Sequence, residues 1–207
     1  MSYKLSIIIP VYNQEELVIR CLNSIPKRKD IELIITDDCS TDKSKENIID
    51  WINTNQYFGV IHFKLNDTNM GVGYTKSKMY DMATGEYITT IDSDDYVLTD
   101  NYSKIIDELY KNHKDNEILI LDHEDNKGNI TRSNSCNATW RYFIKLKYLR
   151  DNNLKINPVY RRAEDWFLMR EVEKFKPKFT RLGILAYHYN YPREGSLSWN
   201  WDHYKKV

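Results

Sequence analysis

The sequence has little of several features that define whole classes of protein. Among 207 residues there are three cysteines at scattered positions. An odd, scattered set argues against a disulfide framework and favours a reducing compartment. No apolar run approaches the roughly 20 residues of a membrane-spanning helix, and the start lacks the long apolar stretch of a signal peptide. The sequence therefore predicts a cytoplasmic protein without a membrane span.

A net charge is also missing, since 30 basic side chains balance 30 acidic ones. This balance excludes a wholly basic nucleic-acid binder and an acidic disordered tail. The charges are unevenly distributed, however. Residues 1–140 contain 15 basic and 23 acidic side chains, whereas residues 141–181 contain 12 basic and 5 acidic, a net charge of +7. An acidic body thus precedes a basic segment.

Strand and helix patterns alternate through the first half of the chain. The short apolar runs that indicate strands are residues 5–9, 31–35, 60–65 and 87–91, and helical spacing recurs between them. Such alternation predicts an α/β fold with a mostly parallel sheet and helices on both faces. The second half is less regular, with helical spacing at 101–112, 141–150 and 164–175 and strand patterns at 117–121 and 180–189. No linker divides the chain, so residues 1–207 are expected to form one domain.

Three carboxylates follow the fourth predicted strand within four residues, at Asp92, Asp94 and Asp95. Ligands of parallel sheets bind at the carboxyl ends of the strands. The mutual repulsion of these carboxylates calls for a cation, and oxygen ligands alone suit Mg²⁺ or Mn²⁺. Zinc is disfavoured because paired Cys/His ligands are missing. The pattern predicts a divalent-cation site, and the competing interpretation is a solvated acidic loop.

Other candidate residues stand at further strand and helix ends. The carboxylates of Asp37 and Asp38 follow the second strand, where they could accept from a ribose hydroxyl or a pyrimidine N–H, or begin a turn. Tyr12 follows the first strand, where it could stack on a nucleobase. Glu164 and Asp165 begin a predicted helix, where acidic residues suit the helix dipole or supply a general base.

Five motifs in order carry a family resemblance. They are Pro-Val-Tyr-Asn at residues 10–13, Thr-Asp-Asp-Cys-Ser-Thr-Asp at 36–42, Asn-Met-Gly-Val-Gly at 69–73, Asp-Ser-Asp-Asp at 92–95 and Glu-Asp at 164–165. Together they resemble family 2 glycosyltransferases of the GT-A fold. The resemblance implies a Rossmann-like sheet, with a nucleotide-sugar-binding half at residues 1–98. A smaller, irregular acceptor-side half and tail would occupy residues 99–207.

The resemblance also implies an activity. A metal-dependent, inverting, hexosyltransferase-type enzyme would move a sugar from a nucleotide-diphosphate sugar, commonly a UDP-sugar, to an acceptor hydroxyl. A bound Mn²⁺ or Mg²⁺ would offset charge developing on the leaving diphosphate. The residues expected to bind the nucleotide sugar are Pro10, Tyr12, Asp38, Lys76, Asp92, Ser93, Asp95 and Arg193.

Catalytic and metal-binding residues follow from the same resemblance. Asp165 would be the base that activates the acceptor hydroxyl, with Glu164 beside it. Asp92 and Asp94, the ends of an Asp-x-Asp motif, would bind the metal, and His188 from the tail would complete its shell.

The sequence departs from the family pattern at two positions. Cys39 stands where the family usually has glycine, which tolerates positive φ, so we expect a different loop there. Lys76 stands nearest to the arginine of the family's Ala-Arg-Asn pattern. Because lysine is a point charge and not a fork, its contact with the donor phosphates is expected to be weaker.

The acceptor remains open between several interpretations. A glycan, a lipid-linked saccharide or a protein is the family default. The basic segment 141–181 contains many aromatic residues, which would also suit a modified base in nucleic acid. A non-catalytic sugar-nucleotide-binding relative is a third interpretation. A sugar-1-phosphate nucleotidyltransferase is disfavoured, because it would need a Gly-rich, basic loop after the first strand. The tail, residues 190–207, is expected to fold over the donor as a lid.

Overall fold

The structure, a computed structural model, describes residues 3–55, 59–111, 116–132 and 138–193. Cys136 and most of the expected lid lie outside these residues. The strands are β1 (Leu5–Val11), β2 (Ile31–Asp37), β3 (Val60–Leu65), β4 (Tyr87–Thr90), β5 (Tyr96–Val97), β6 (Ile118–Asp125), β7 (Ile130–Thr131), β8 (Tyr142–Lys145) and β9 (Phe179–Tyr189). The helices are α1 (Val18–Ser24), α2 (Ser44–Thr54), α3 (Val72–Met82), α4 (Thr99–Glu108), α5 (Leu146–Asp151) and α6 (Glu164–Lys174), with a 3-10 turn at Thr139–Arg141.

The strands form one sheet in the order β3-β2-β1-β4-β8-β6-β9-β5, and β7 pairs with β6. The first four strands in this order are parallel. Strand β8 is antiparallel to both β4 and β6, β9 is parallel to β6, and β5 is antiparallel to β9. The predicted parallel α/β sheet is confirmed for the first half, and the second half extends the same sheet with mixed strand directions.

Helices bury both faces of this sheet. Successive side chains of a strand point to opposite faces, so Ile7 and Ile9 pack into one apolar cluster while Ile8 packs into another. The first cluster includes residues of α1, α2 and α4, and the second includes residues of α3, α5 and α6. None of the helices within the described ranges is long and apolar enough to cross a membrane.

One element differs from its sequence-based prediction. The helix predicted over residues 141–150 is wrong in its first part, where Tyr142–Lys145 forms β8 and only Leu146–Asp151 is helical. Tyr142, Phe143 and Ile144 are buried between β4 and β6. Sheet pairing therefore outweighs the local helical spacing of these residues.

Candidate active site

The two acidic runs of the first half lie at the same edge of the sheet. Strand β1 lies between β2 and β4, and Val11 at its end is paired with Asp37. The backbone N–H of Asp38 donates to the carbonyl of Val11 at 2.8 Å, and that of Ile91 donates to Ile8 at 2.9 Å. The loops after β1, β2 and β4 therefore share one edge, which we call the donor edge.

Asp38 fastens the glycine-containing loop to this edge. Its buried carboxylate accepts hydrogen bonds from Asn66 Nδ2 at 2.7 Å and from the backbone N–H groups of Met70 at 2.9 Å and Gly71 at 2.7 Å. Its neighbour Asp37 is also buried, and Asp37 Oδ2 has no hydrogen-bond partner within the described part of the chain. The expected contact of Asp38 with the nucleotide base stays a prediction.

The residues around the first loop leave one aromatic ring open. Pro10 is half-buried within β1, whereas Tyr12 beyond the strand is 44% exposed, as a stacking surface would need to be. Asn13 joins this loop to the next one, because its side-chain oxygen accepts from the backbone N–H of Thr41 at 2.8 Å. Cys39 has φ of 63°, the conformation that glycine favours, so the expectation of a different loop is wrong in this respect.

The Asp-Ser-Asp-Asp run follows β4 and carries an arginine partner. Asp92 and Asp94 are partly exposed, with 30% and 23% of their side-chain surface accessible, while Ser93 between them is buried. Arg193 Nη2 donates to Asp94 Oδ2 at 2.6 Å. Arg20, a residue that the sequence did not single out, donates to the backbone carbonyl of Asp94 at 2.7 Å.

Asp95 is used within the protein. Its buried carboxylate accepts from the hydroxyl of Tyr187 at 2.6 Å and from the backbone N–H of Asn190 at 2.7 Å. Burial, together with repulsion from Asp94 and Asp92, raises the pKa of Asp95 well above its usual range. Asp95 thereby ties the end of β9 to the donor edge, and its expected contact with the donor sugar stays a prediction.

His188 has both ring nitrogens engaged. Nδ1 lies 3.2 Å from Glu124 Oε1, and Nε2 lies 2.9 Å from Asn126 Oδ1. The ring also stacks on Tyr96, with centroids 4.4 Å apart. Its expected role as a metal ligand stays a prediction, and one of these contacts would have to break for it.

Lys76 connects the donor edge to the start of α6. It lies on α3, it is 2% exposed, and its Nζ contacts Glu164 Oε1 at 2.8 Å, Asp165 Oδ1 at 3.1 Å and Asp92 Oδ1 at 3.5 Å. The other oxygen of Asp165 accepts from the backbone N–H of Thr139 at 3.0 Å. The contacts of Lys76 are thus with three carboxylates, and its expected contact with the donor phosphates stays a prediction.

The family profile of Glycosyl transferase family 2 matches residues 6–175. The chain belongs to this family. An uncharacterized glycosyltransferase of Haemophilus influenzae is 33% identical over 178 residues, which cover 80% of this chain and 65% of that protein. TarS of Staphylococcus aureus, a poly(ribitol-phosphate) β-N-acetylglucosaminyltransferase, is 25% identical over 93% of this chain and 36% of its own length. The chain spans 65% or less of the length of these two relatives.

Solved structures show the same fold as this glycosyltransferase family member. The crystal structure of a TarS fragment in complex with UDP-GlcNAc superposes with a TM-score of 0.79 at 22% identity, covering 93% of this chain and 60% of that one. A mannosyltransferase of Pyrobaculum calidifontis in complex with GDP-Man and Mn²⁺ has a TM-score of 0.73 at 13% identity, covering 97% and 60%. These likenesses confirm the expected GT-A fold.

The carboxylates around Lys76 affect one another's protonation. Burial raises the pKa of Asp92 to about 7, and Asp165, Asp94 and Glu164 add to this rise while Lys76 opposes it. Burial and the charge of Asp165 likewise raise the pKa of Glu164. Although burial disfavours its ammonium, the three carboxylates raise the pKa of Lys76 well above its usual range. One ammonium therefore balances three carboxylates, and a further cation would be stabilised here.

The donor edge offers carboxylate oxygens to a divalent cation. Among the described residues, no group of three or more His, Cys, Asp or Glu side chains is placed to hold an ion. Asp92 and Asp94 instead offer a pair of partly exposed carboxylates. Mg²⁺ is usually held by one or two carboxylates together with substrate phosphates. The pair fits such an ion, whose shell the donor diphosphate would complete.

Sequence reasoning missed the contacts that join the two halves of the site, those of Lys76, Thr139 and Tyr187 among them. Gly73 on α3 was a sequence signal for these contacts, because a residue without a side chain lets another segment pack closely. A Cβ atom added at Gly73 would lie 2.0 Å from the carbonyl oxygen of Tyr160, so the segment before α6 packs directly on α3. This close approach brings Glu164 and Asp165 to Lys76.

Proposed function

We propose that the chain is a metal-dependent, inverting glycosyltransferase that takes its sugar from a UDP-sugar and transfers it to an acceptor hydroxyl. The observation that carries this proposal is the contact of Lys76 with both Asp92 and Asp165, because it brings the candidate base beside the donor edge. Membership of family 2 and the likeness to the TarS complex with UDP-GlcNAc support the choice of donor.

Asp165 would act as the general base. One of its oxygens is held by Lys76 and the other by the N–H of Thr139, so the orientation of the carboxylate is fixed. Its side chain is 15% exposed, which leaves access for a hydroxyl. The acceptor oxygen would attack the anomeric carbon as its proton passes to Asp165. One displacement inverts the anomeric centre, so no covalent nucleophile is needed.

The donor edge would bind and orient the diphosphate. A cation held by Asp92 and Asp94 would offset the charge that develops on the leaving diphosphate. Arg193, which lies 2.6 Å from Asp94, presents a planar guanidinium that suits phosphate oxygens. Tyr12, exposed beyond β1, would stack on the uracil ring.

The acceptor would be a phosphate-bearing chain. Two relatives are named as transferases that act on poly(ribitol-phosphate), one from Bacillus spizizenii and one from Staphylococcus aureus. The net charge of +7 over residues 141–181 is consistent with an anionic acceptor.

Release of UDP from UDP-GlcNAc in the presence of Mn²⁺ tests the proposal. Asp94→Ala and Asp165→Ala are each expected to reduce release by about 10²–10⁴-fold, and removal of the metal with EDTA should do the same. Asp100→Ala and Asp151→Ala, at exposed positions of α4 and α5, are the matched controls and should keep the parent rate. Full activity in both site variants would contradict the proposal.

A further inference from the structure

A patch of aromatic rings and arginines surrounds the first turn of α6, beside Asp165. We call it the α6 patch, and its members are Tyr160, Arg161, Arg162, Trp166, Phe167 and Arg170. Tyr160 stacks on Phe167 with ring centroids 4.0 Å apart and an angle of 7°. Trp166 meets Phe167 edge-on at 5.0 Å, and the guanidinium of Arg170 lies 5.3 Å from the centre of the Trp166 ring. The rings and Arg170 therefore form one continuous surface.

Two of the three rings of the patch are exposed, although other side chains of α6 are buried. Trp166 is 38% and Phe167 37% exposed, whereas Leu168, Met169 and Val172 on the same helix are buried. Single exposed apolar residues are common on soluble proteins, but adjoining exposed rings indicate an interaction site.

The arginines of the patch have no anionic partner among the residues that the structure describes. Within the described ranges, no ion pair or hydrogen bond involves the guanidinium of Arg161, Arg162 or Arg170. Elsewhere in the chain Arg28 and Arg181 each bind an aspartate at 2.8 and 2.7 Å. Unpaired guanidinium groups next to aromatic rings attract anions, and phosphate matches their fork geometry.

Packing against α3 fixes the patch relative to the donor edge. A Cβ atom added at Gly71 would lie 3.1 Å from Arg161 Cγ, and one added at Gly73 would meet the carbonyl of Tyr160. Gly71 is also the residue whose N–H donates to Asp38. The patch thus continues the surface of the candidate site on the side of the general base.

We propose that the α6 patch is the acceptor subsite and that it binds a phosphate-bearing polyol or saccharide chain. This inference rests on the proposed function. The C–H faces of the chain would pack on the rings, and its phosphates would pair with the arginines. A hydroxyl of the bound chain would give its proton to Asp165 as its oxygen forms the new bond to the anomeric carbon. The sugar–phosphate bond breaks, and UDP leaves with the electron pair.

Binding of a short synthetic ribitol-phosphate oligomer to the full chain tests this inference. The oligomer should bind, and its affinity should fall as salt is added. Trp166→Ala and Arg170→Gln should each weaken binding by about tenfold or more. Phe175→Ala and Lys174→Gln, at the other end of α6, are the matched controls, and each should change the affinity by less than about twofold. Melting temperatures verify that each variant is folded. If Trp166→Ala does not fold, Arg170→Gln, which changes an exposed side chain, is enough to test the inference.

The inference would be overturned if the oligomer does not bind at low salt, or if the control variants lose as much affinity as the patch variants. Equal affinity for an unphosphorylated oligosaccharide of the same length would also overturn it. Tighter binding of a single-stranded DNA of the same charge would overturn it as well and would indicate a nucleic-acid acceptor. UDP release separates this inference from the proposed function. If UDP is released but the oligomer does not bind, only the proposed subsite is rejected. If the oligomer binds but UDP is not released from any nucleotide sugar, the proposed transferase activity is rejected, and the acceptor role of the patch with it.

Discussion

The two sides of the candidate site treat their charged groups differently. At the donor edge, several carboxylates are held by contacts within the protein, since Asp38 accepts three hydrogen bonds and Asp94 binds Arg193. On the α6 patch, three arginines have no ion pair with any described residue. A site organised before its ligand arrives loses less entropy on binding. The donor edge is thus suited to a single ligand, the proposed nucleotide-sugar donor. The arginines of the α6 patch would instead pair with the proposed acceptor.

Lys76 joins the donor edge to Glu164 and Asp165 at the start of α6, and its removal should have the largest effect on stability. Lys76→Met leaves Asp92, Glu164 and Asp165 without their shared cation. Loss of one partner from a buried ionic group is expected to lower the free energy of unfolding by about 3–5 kcal/mol. Urea denaturation at pH 8, which is above the pKa of about 7 of Asp92, measures this change.

An exposed lysine on the same helix provides the control for that measurement. Lys78→Met should change the free energy of unfolding by less than about 0.5 kcal/mol. Equal, small effects of the two substitutions would mean that the carboxylates are stable without Lys76. The donor edge and the start of α6 would then be electrostatically independent.

The acceptor-side half should lose stability in mild acid because of His123. This side chain is 7% exposed, meets Trp140 edge-on at 4.7 Å, and its Nδ1 lacks a hydrogen-bond partner in the described part of the chain. Burial, assisted by the charge of Arg141, lowers the pKa of His123 from 6.5 to about 4. Between these values the unfolded chain binds a proton that the folded chain does not. The free energy of unfolding should therefore fall by up to about 3 kcal/mol as pH drops from 6.5 to 4.

Two histidine variants separate the effect of His123 on the pH dependence of the free energy of unfolding from the effect of the carboxylates. His123→Phe keeps a flat ring against Trp140 and should remove the loss between pH 6.5 and 4. His62→Asn alters a histidine whose side chain is 43% exposed and should leave the loss in place. If His123→Phe unfolds with the parent pH dependence, the acid sensitivity arises elsewhere.

The donor edge could be predicted from the sequence because its geometry depends on local units. Successive strand–helix–strand units place the ends of β1, β2 and β4 at one edge, so the acidic runs after β2 and β4 lie at that same edge. The contact between Lys76 and Glu164 spans 88 positions of the chain. Between these positions the chain also forms β8, which enters the sheet between β4 and β6, and the helical spacing of residues 141–150 concealed that strand. Sheet order over such distances is decided by packing, which a single sequence does not display.

The smallest expected effect concerns backbone strain at the donor edge. Cys39 holds a φ of 63°, where a side chain costs about 1–2 kcal/mol and glycine little. Cys39→Gly should therefore raise the free energy of unfolding by about 0.5–1 kcal/mol, after the greater freedom of glycine in the unfolded chain is subtracted. Cys39→Ala removes the thiol, whose sulfur lies 3.6 Å from the carbonyl of Asp67, but keeps the strained backbone. If urea denaturation shows a higher free energy of unfolding for Cys39→Gly alone, the strain lies in the backbone. An equal increase for Cys39→Ala would assign the effect to the thiol.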